Sequence, residues 1–466
     1  MLFLKRKLKK FLYTRAVRSF MSASSVELQT QSEQKAIAAF DAAYQRSPPY
    51  RAHLQKTGFQ NTPIRNIEDF KKYVPVSTKD MIYGNTSWIS KHLPLEPSPS
   101  FLLSSGSSGI FSFGIHSQHH INQQTEFLNA LFSHYFHILD QKTLIINCLG
   151  QAVRLPALDA AIIETGPRTD ALLYILEKLS PQFEQTILVG DNYFVKNSLE
   201  DGLNRGIPLS RLCLQLILGG VYLPETLRTY LAELLNNKTY NGLILSSMGI
   251  SEFGLNLFVE TPETITLRQW AEKNPVLSQK IFGDAAPFTP MFFNYFPQAF
   301  YIEEVHGEIV ITNLNTQALL PLIRYNAGDK GRSIPYEDLK HVDLGEIDMA
   351  TLRPPFKSPL VLIYGKNEYV ETPNKIKIYP QQVQKGLYEH IGTASLTTGY
   401  FRLNTNNGMS LQIQLKQGIQ PNEAVTQQFR QAILQNINVD IPLILYPYHL
   451  FPYGMGLDYE RKFKYL

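Results

Sequence analysis

Between residues 121 and 330 the chain alternates helical stretches with short apolar runs, and this rhythm restricts the possible folds more than any other feature. Helical spacing of apolar residues covers 126–139, 170–178 and 224–236, while the runs 143–147, 185–189, 212–218 and 242–245 are short and rich in Leu, Ile and Val. Parallel strands cannot be joined by a tight turn and need a crossover, usually a helix. Strand and helix in alternation therefore predict βαβ units on a mainly parallel sheet, the α/β class.

Outside that region the pattern changes. Residues 308–312 begin a more β-rich stretch, with 301–305 as a hairpin partner. Residues 33–57 have helical spacing broken at Pro48-Pro49, since proline cannot continue a helix interior. Pro354, Pro355 and Pro359, followed by Gly365-Lys366-Asn367-Glu368, mark the main boundary. Beyond it a helix over 380–390, an alternating strand over 409–415, a helix over 423–436 and a strand over 443–446 predict a small α+β domain. The division expected is a basic leader over 1–30, a large domain over 31–364 and a small domain over 365–466.

With 466 residues, 44% hydrophobic and 18% charged, the chain can bury a sizeable core. A net charge of +4 is too small to argue for a nucleic-acid partner. Cys148 and Cys213 lie far apart in apolar settings, which excludes a disulfide scaffold and fits buried thiols in a reducing, cytoplasmic compartment.

The charge is concentrated at the start. Lys5, Arg6, Lys7, Lys9, Lys10, Arg15 and Arg18 precede the first acid, Glu27, and Leu2, Phe3, Leu4, Leu8, Phe11, Leu12, Val17 and Phe20 interleave with them. The apolar run is too short and interrupted for a signal peptide or a spanning helix. Four readings stand side by side: a basic amphipathic helix on an anionic membrane, a solvated leader, a helix packed on its own domain, and an organelle-targeting leader.

Several short segments carry chemistry. Ser104-Ser105-Gly106-Ser107-Ser108-Gly109 follows a predicted strand over 101–103. Glycine lets backbone N–H groups turn inward and serine adds donors, so the loop suits a polyphosphate, with a helix expected after it. On their own, Gly219-Gly220 reads as a turn, Ser251-Glu252 as a helix start, Gly328-Asp329 as a turn and 461–464 as a solvated basic tail. His116, His119 and His120 have no carboxylate or cysteine at ligand spacing, which argues against a metal site. No nucleophile elbow, Walker loop or dinucleotide fingerprint occurs.

Taken in order, five segments resemble the adenylate-forming (ANL) superfamily, and most of all its phenylacetate–CoA ligase and acyl-protein synthetase branch. They are Ser104–Gly109, Gly219-Gly220, Met248-Gly249-Ile250-Ser251-Glu252, Pro321-Leu-Ile-Arg-Tyr-Asn-Ala-Gly-Asp329 and Arg461-Lys462-Phe-Lys-Tyr-Leu466. The stretch from Arg65 to Ile82 is similar to the opening of the same branch. The resemblance covers about residues 35–466 and implies a large adenylation domain with a small mobile C-terminal domain. It implies ATP- and Mg²⁺-dependent activation of a carboxylic acid to an acyl-adenylate, then transfer to a thiol of CoA or of a carrier or acceptor protein.

The resemblance also assigns roles. Ser104 to Gly109 would be the phosphate loop, Gly219, Gly220, Met248 and Gly249 the wall of the adenine pocket, and Ser251 a donor to the α-phosphate. Glu252 would hold Mg²⁺, Asp329 the ribose hydroxyls, and Lys462 the acyl carboxylate and α-phosphate, with Lys464 as second choice. Lys366 and Glu368 stand where the hinge has Arg and Asp, so residues 359–368 are where the small domain would swing. The chain departs from the pattern at Ile110-Phe111, where the family usually has a lysine, and at Met248, where it has an aromatic ring. Those departures motivate the other reading, a non-catalytic nucleotide-binding or scaffold protein of the same fold.

Overall fold

The computed structural model describes residues 2–84, 99–104, 110–150, 153–235, 242–283, 287–340, 357, 359–366, 368–406, 408–453 and 462–466. Thr143–Asn147 (β1), Ala161–Glu164 (β2), Gln185–Asp191 (β3), Leu214–Gly219 (β4) and Ile244–Ile250 (β5) form the parallel half of a twelve-stranded sheet, in spatial order β2-β1-β3-β4-β5. Leu144, Ile146, Leu188, Leu216 and Leu218 point into one core, and Ile145, Ile187 and Leu245 into another on the opposite face. Burial on both faces is why β1, β3 and β4 read as continuous apolar runs, while β2 is an exposed edge.

Beyond β5 the expected mainly parallel arrangement gives way to a mixed sheet. Gly254–Val259 (β6), Met291–Asn294 (β7), Phe300–Val305 (β8), Glu308–Asn313 (β9), Tyr325–Ile334 (β10) and Leu360–Gly365 (β11) add antiparallel strands in the order β6-β7-β11-β10-β9-β8. The cause is connection length: Ile250 pairs with Gly254 and Val305 with Glu308, and turns that tight join only antiparallel neighbours. Gly249 is required by this hairpin, because a Cβ there would stand 2.5 Å from the Leu255 carbonyl oxygen.

Thr397–Asn404, Ser410–Leu415 and Leu443–Tyr446 form a separate three-stranded sheet, packed with the helices Pro380–Leu387 and Glu423–Ile437 into a small α+β unit. It rests on the helix Asn192–Asn204. Gln384 donates to the Tyr193 hydroxyl at 2.8 Å, and Lys416 pairs with Glu200 at 2.7 Å. Lys196, with no exposed surface, pairs with Glu200 at 3.1 Å and donates to the Thr397 carbonyl.

At the other end, Leu2–Ser22 (α1) lies along Gln118–Tyr135 (α2) with Tyr13 and Val17 buried. Tyr13 donates to Glu126 at 2.9 Å, and Lys9 and Lys10 pair with Asp159 and Asp140 at 2.5 and 2.6 Å. Of the four readings of this segment, packing on its own domain is realised, and the solvated leader is corrected. No helix among the described residues is long and apolar enough to cross a membrane. The Pro48 break stands as expected: Ser25–Arg46 ends, Ser47 caps Tyr50 N–H, and Pro48–Lys56 begins. Cys148 is buried, which pushes its thiol up to about 12, but Cys213 is partly exposed, contrary to expectation.

Candidate active site

β5 ends in the turn that carries Ser251 and Glu252, so this pair sits in a hairpin and not at a helix start. The Ser251 hydroxyl donates to Glu252 Oε2 at 2.8 Å, and the Tyr325 hydroxyl donates to Glu252 Oε1 at 2.6 Å. Burial and the neighbouring carboxylate push the Tyr325 phenol far above its usual range, which keeps it a donor. Below the turn, Glu260 accepts from Ser246 N–H at 2.6 Å and from Arg228 at 2.9 Å. Arg228 and Arg268 also share Glu225, so two arginines and two glutamates, all buried, brace the strand that delivers the turn.

Asp329 is presented by β10 after Gly328, whose φ of +76° favours glycine. Asn326 shapes the same bend: its side-chain oxygen accepts from Gly328 N–H at 2.7 Å and its amide donates to Glu308 at 2.6 Å. Lys366 Nζ stands 3.3 Å from Asp329 Oδ1 and donates to the Ala327 carbonyl at 2.8 Å. Arg324, from the same segment, turns away to pair with Glu303 at 3.1 Å and to donate to the Lys71 carbonyl at 2.6 Å.

Gly219 ends β4 and Gly220 follows it, both beside Asp191, which caps the helix Asn192–Asn204 by accepting from Tyr193 N–H at 2.9 Å and Phe194 N–H at 3.2 Å. Burial pushes the Asp191 carboxyl up to about 6, against the opposing pull of these N–H groups and of the Lys462 ammonium. The C-terminal residues are tied down by Tyr465, whose carbonyl accepts from Leu403 N–H at 2.8 Å and whose ring stacks on Phe401 at 4.6 Å.

These segments meet in one cavity of about 730 Å³. Ser104, Gly219, Gly220, Met248, Gly249, Ser251, Glu252, Asp329 and Lys462 all line it, as does Lys366. Lys464 is absent from its wall; its carbonyl accepts from Arg402 at 2.7 Å. Ser105, Gly106, Ser107, Ser108 and Gly109 lie outside the described residues, as does Arg461. The helix expected straight after that loop is corrected: Phe113–His116 folds back antiparallel on Ser100–Leu103, and Ser104 N–H donates to the Ser112 carbonyl at 2.8 Å. Phe113 pays into this hairpin by packing edge-on to Tyr83 at 5.0 Å, and Ile115 is buried.

Lys79, Asp191 and Asn326 line the same cavity and had no role assigned from the sequence. Lys79 belongs to the segment that resembles the branch's opening, so a signal was present. Burial lowers its pKa, while the Glu252 carboxylate acts in the opposite direction. Asp191 follows the expected run 185–189, but the helix Asn192–Asn204 that it caps was not expected from the sequence. Mg²⁺ takes hard oxygen ligands and often only one or two protein carboxylates beside phosphate oxygens. Glu252 fits that requirement, and no cluster of three metal-binding side chains occurs among the described residues.

A second cavity, of about 890 Å³, shares Leu102, Leu155, Gly254 and Leu255 with the first. Phe101, Phe127, Leu128, Phe296 and Phe300 make it largely apolar. His116 and His120 also line it, their rings stacked 5.2 Å apart. Burial holds both imidazoles below their usual range, His120 at about 4.

The fold, a mixed sheet with a small C-terminal α+β unit, is shared with solved adenylate-forming CoA ligases. The chain is similar to 2-hydroxyisobutyryl-CoA ligase in its postadenylation state with R3-HIB-AMP, with a TM-score of 0.68, 12% identity, and coverage of 95% of this chain and 90% of that one. Against the same ligase with 2-HIB-AMP and CoA in the thioesterification state the TM-score is 0.52, with 14% identity over 92% and 88% of the two chains. No protein-family model and no curated protein matches the sequence.

Proposed function

We propose that the protein is an ATP-dependent, AMP-forming ligase that activates a carboxylic acid and passes the acyl group to a thiol. One observation carries this reading: Gly219-Gly220, Ser251-Glu252, Asp329 and Lys462, far apart in sequence, line a single cavity. In the first step a carboxylate oxygen attacks the α-phosphorus of ATP, the bond to the β-phosphate oxygen breaks, and pyrophosphate leaves. Negative charge builds on the α-phosphate oxygens, where Lys462 and the Ser251 hydroxyl donate; fixed donors of this kind act most strongly away from water. Mg²⁺, held by Glu252, supplies Lewis-acid neutralisation of phosphate charge when bound. Asp329 takes the ribose hydroxyls.

In the second step a thiolate attacks the acyl carbon and AMP leaves. CoA is the acceptor that the neighbours' bound ligands favour, and a carrier-protein thiol fits the same chemistry. The apolar body of the acid lies in the second cavity, with its carboxylate at the wall shared with the first. The higher score against the postadenylation form, together with Lys462 in the cavity, supports reading this domain arrangement as the one that serves the first step. Two free cysteines fit a reducing cytoplasm.

Ile110, in place of the usual lysine, favours a second reading, a nucleotide-binding scaffold without activation. Lys79 answers it in part by bringing a cation to the same cavity. Acid-dependent ATP–pyrophosphate exchange with a panel of aryl and fatty acids separates the two. Exchange with any acid supports the ligase; ATP binding by calorimetry with no exchange for any acid would leave only the scaffold.

A further inference from the structure

α1 has apolar residues on two opposite sides, and only one of them is used. Tyr13 and Val17 are buried against the large domain. Leu4, Leu8, Phe11 and Leu12, at helical spacing on the other side, are 74%, 59%, 61% and 51% exposed. Four large side chains in one exposed row form a contiguous apolar patch of the kind that marks an interaction surface.

The charge around the row says what covers it. α1 carries seven basic residues and no acid, and Lys5, Arg15 and Arg18 are exposed beside the row. The whole chain has 44 basic and 40 acidic residues, so without these seven the remainder has 37 basic against 40 acidic. The positive excess of the molecule therefore sits on this one helix. A second copy of the chain would set the same cations against each other, which disfavours a symmetric dimer through this face.

We propose that α1 is a docking helix for an anionic bilayer surface. Leu4, Leu8, Phe11 and Leu12 enter the boundary between headgroups and acyl chains, and Lys5, Arg15 and Arg18 meet lipid phosphates or carboxylates, as interfacial amphipathic helices do. Because the Tyr13 side stays packed on α2, docking requires no unfolding. Ala16, Val17 and Phe20 of the same helix also wall the 890 Å³ cavity, so the bilayer-facing element borders a chamber suited to an apolar acid. That last link rests on the proposed function; the docking itself does not.

The test is co-sedimentation of the full chain with vesicles of phosphatidylcholine alone or with about one third phosphatidylserine, an anionic content that sets a substantial negative surface potential. Binding to the anionic vesicles only, weakened by salt, is expected. Leu8→Glu with Phe11→Glu should abolish it without moving the melting temperature, since both side chains face solvent. Lys5→Gln with Arg15→Gln and Arg18→Gln should weaken partitioning about fivefold per cation, about a hundredfold together. Failure of the wild-type chain to sediment with anionic vesicles would overturn the proposal. So would equal binding to neutral vesicles, or full binding by the folded Leu8/Phe11 variant. A concentration-dependent dimer, lost in that variant and formed in place of vesicle binding, would assign the row to a second copy instead.

Discussion

The hydroxyl of Tyr325 donates to Glu252 Oε1 across 2.6 Å, joining two segments 73 residues apart. It ties the strand that presents Asp329 to the turn that presents the proposed Mg²⁺ ligand, so the two groups keep a fixed separation. A hydrogen bond to a charged group contributes about 1.5–3 kcal/mol. Tyr325→Phe should therefore reduce acid-dependent ATP–pyrophosphate exchange about tenfold to a hundredfold and raise the Mg²⁺ concentration needed for half-maximal rate. An unchanged Mg²⁺ dependence would mean that the phenol does not act through Glu252.

Lys462 and Lys464 lie two residues apart in the same terminal segment, and only Lys462 lines the cavity. Lys462→Ala is expected to slow acyl-adenylate formation by about two orders of magnitude or more, the scale lost with one charge-stabilising donor. Transfer from chemically supplied acyl-adenylate should stay near wild type, and Lys464→Ala should be near wild type in both assays. Equal loss of both steps in Lys462→Ala would make the lysine a structural residue.

Much of this arrangement was legible because strand burial and turn chemistry are local. The runs at 143–147 and 185–189 could hardly be anything but strands buried on both faces. Phe113–His116 was not legible: Phe-Gly-Ile-His has no strand signal strong enough to outweigh the helix that follows it, and only pairing with Ser100–Leu103 makes it a strand. The hairpin of Phe300–Val305 with Glu308–Asn313 stands as expected, but the rest of the antiparallel half was missed for the same reason, since Gly254–Val259 takes its direction from one tight turn. Asp191 reaches the site through tertiary packing, which no spacing in the sequence encodes, whereas Lys79 lies in the segment 65–82 whose resemblance carried a signal.

Asp191 sets a pH signature. Its carboxyl titrates at about 6 in the folded chain against 3.8 as the ordinary value, so between those limits the folded state holds a proton that the unfolded state has lost. Its contribution favours folding most below about pH 4 and declines as pH rises through 6. Asp191→Asn keeps an acceptor for the helix cap and removes this slope. Relative to wild type, the variant should gain about 1–3 kcal/mol between pH 4.5 and 7.5. Melting curves at the two pH values check it, and parallel shifts in both proteins would count against the assignment.

The arginine–glutamate cluster under β5 makes a stability prediction. Glu260→Ala leaves Arg228 and Arg268 buried with one carboxylate fewer and frees the Ser246 N–H. Breaking a buried pair from one side costs about 3–5 kcal/mol, so chemical denaturation should show a loss of that size. Glu260→Gln, which keeps an acceptor, should lose less. A loss below about 1 kcal/mol, the range of an exposed pair, would show that the cluster is well hydrated.

The contact between Lys366 and Asp329 has a consequence for timing. A ribose that claimed both oxygens of Asp329 would have to evict the lysine, and Lys366 stands directly after Gly365, the last residue of β11, in the stretch of chain that leads from the large sheet to the small unit. Nucleotide arrival and release of this tether would then be a single event. The joint between the two units would register whether the cavity is filled before any bond has been made or broken.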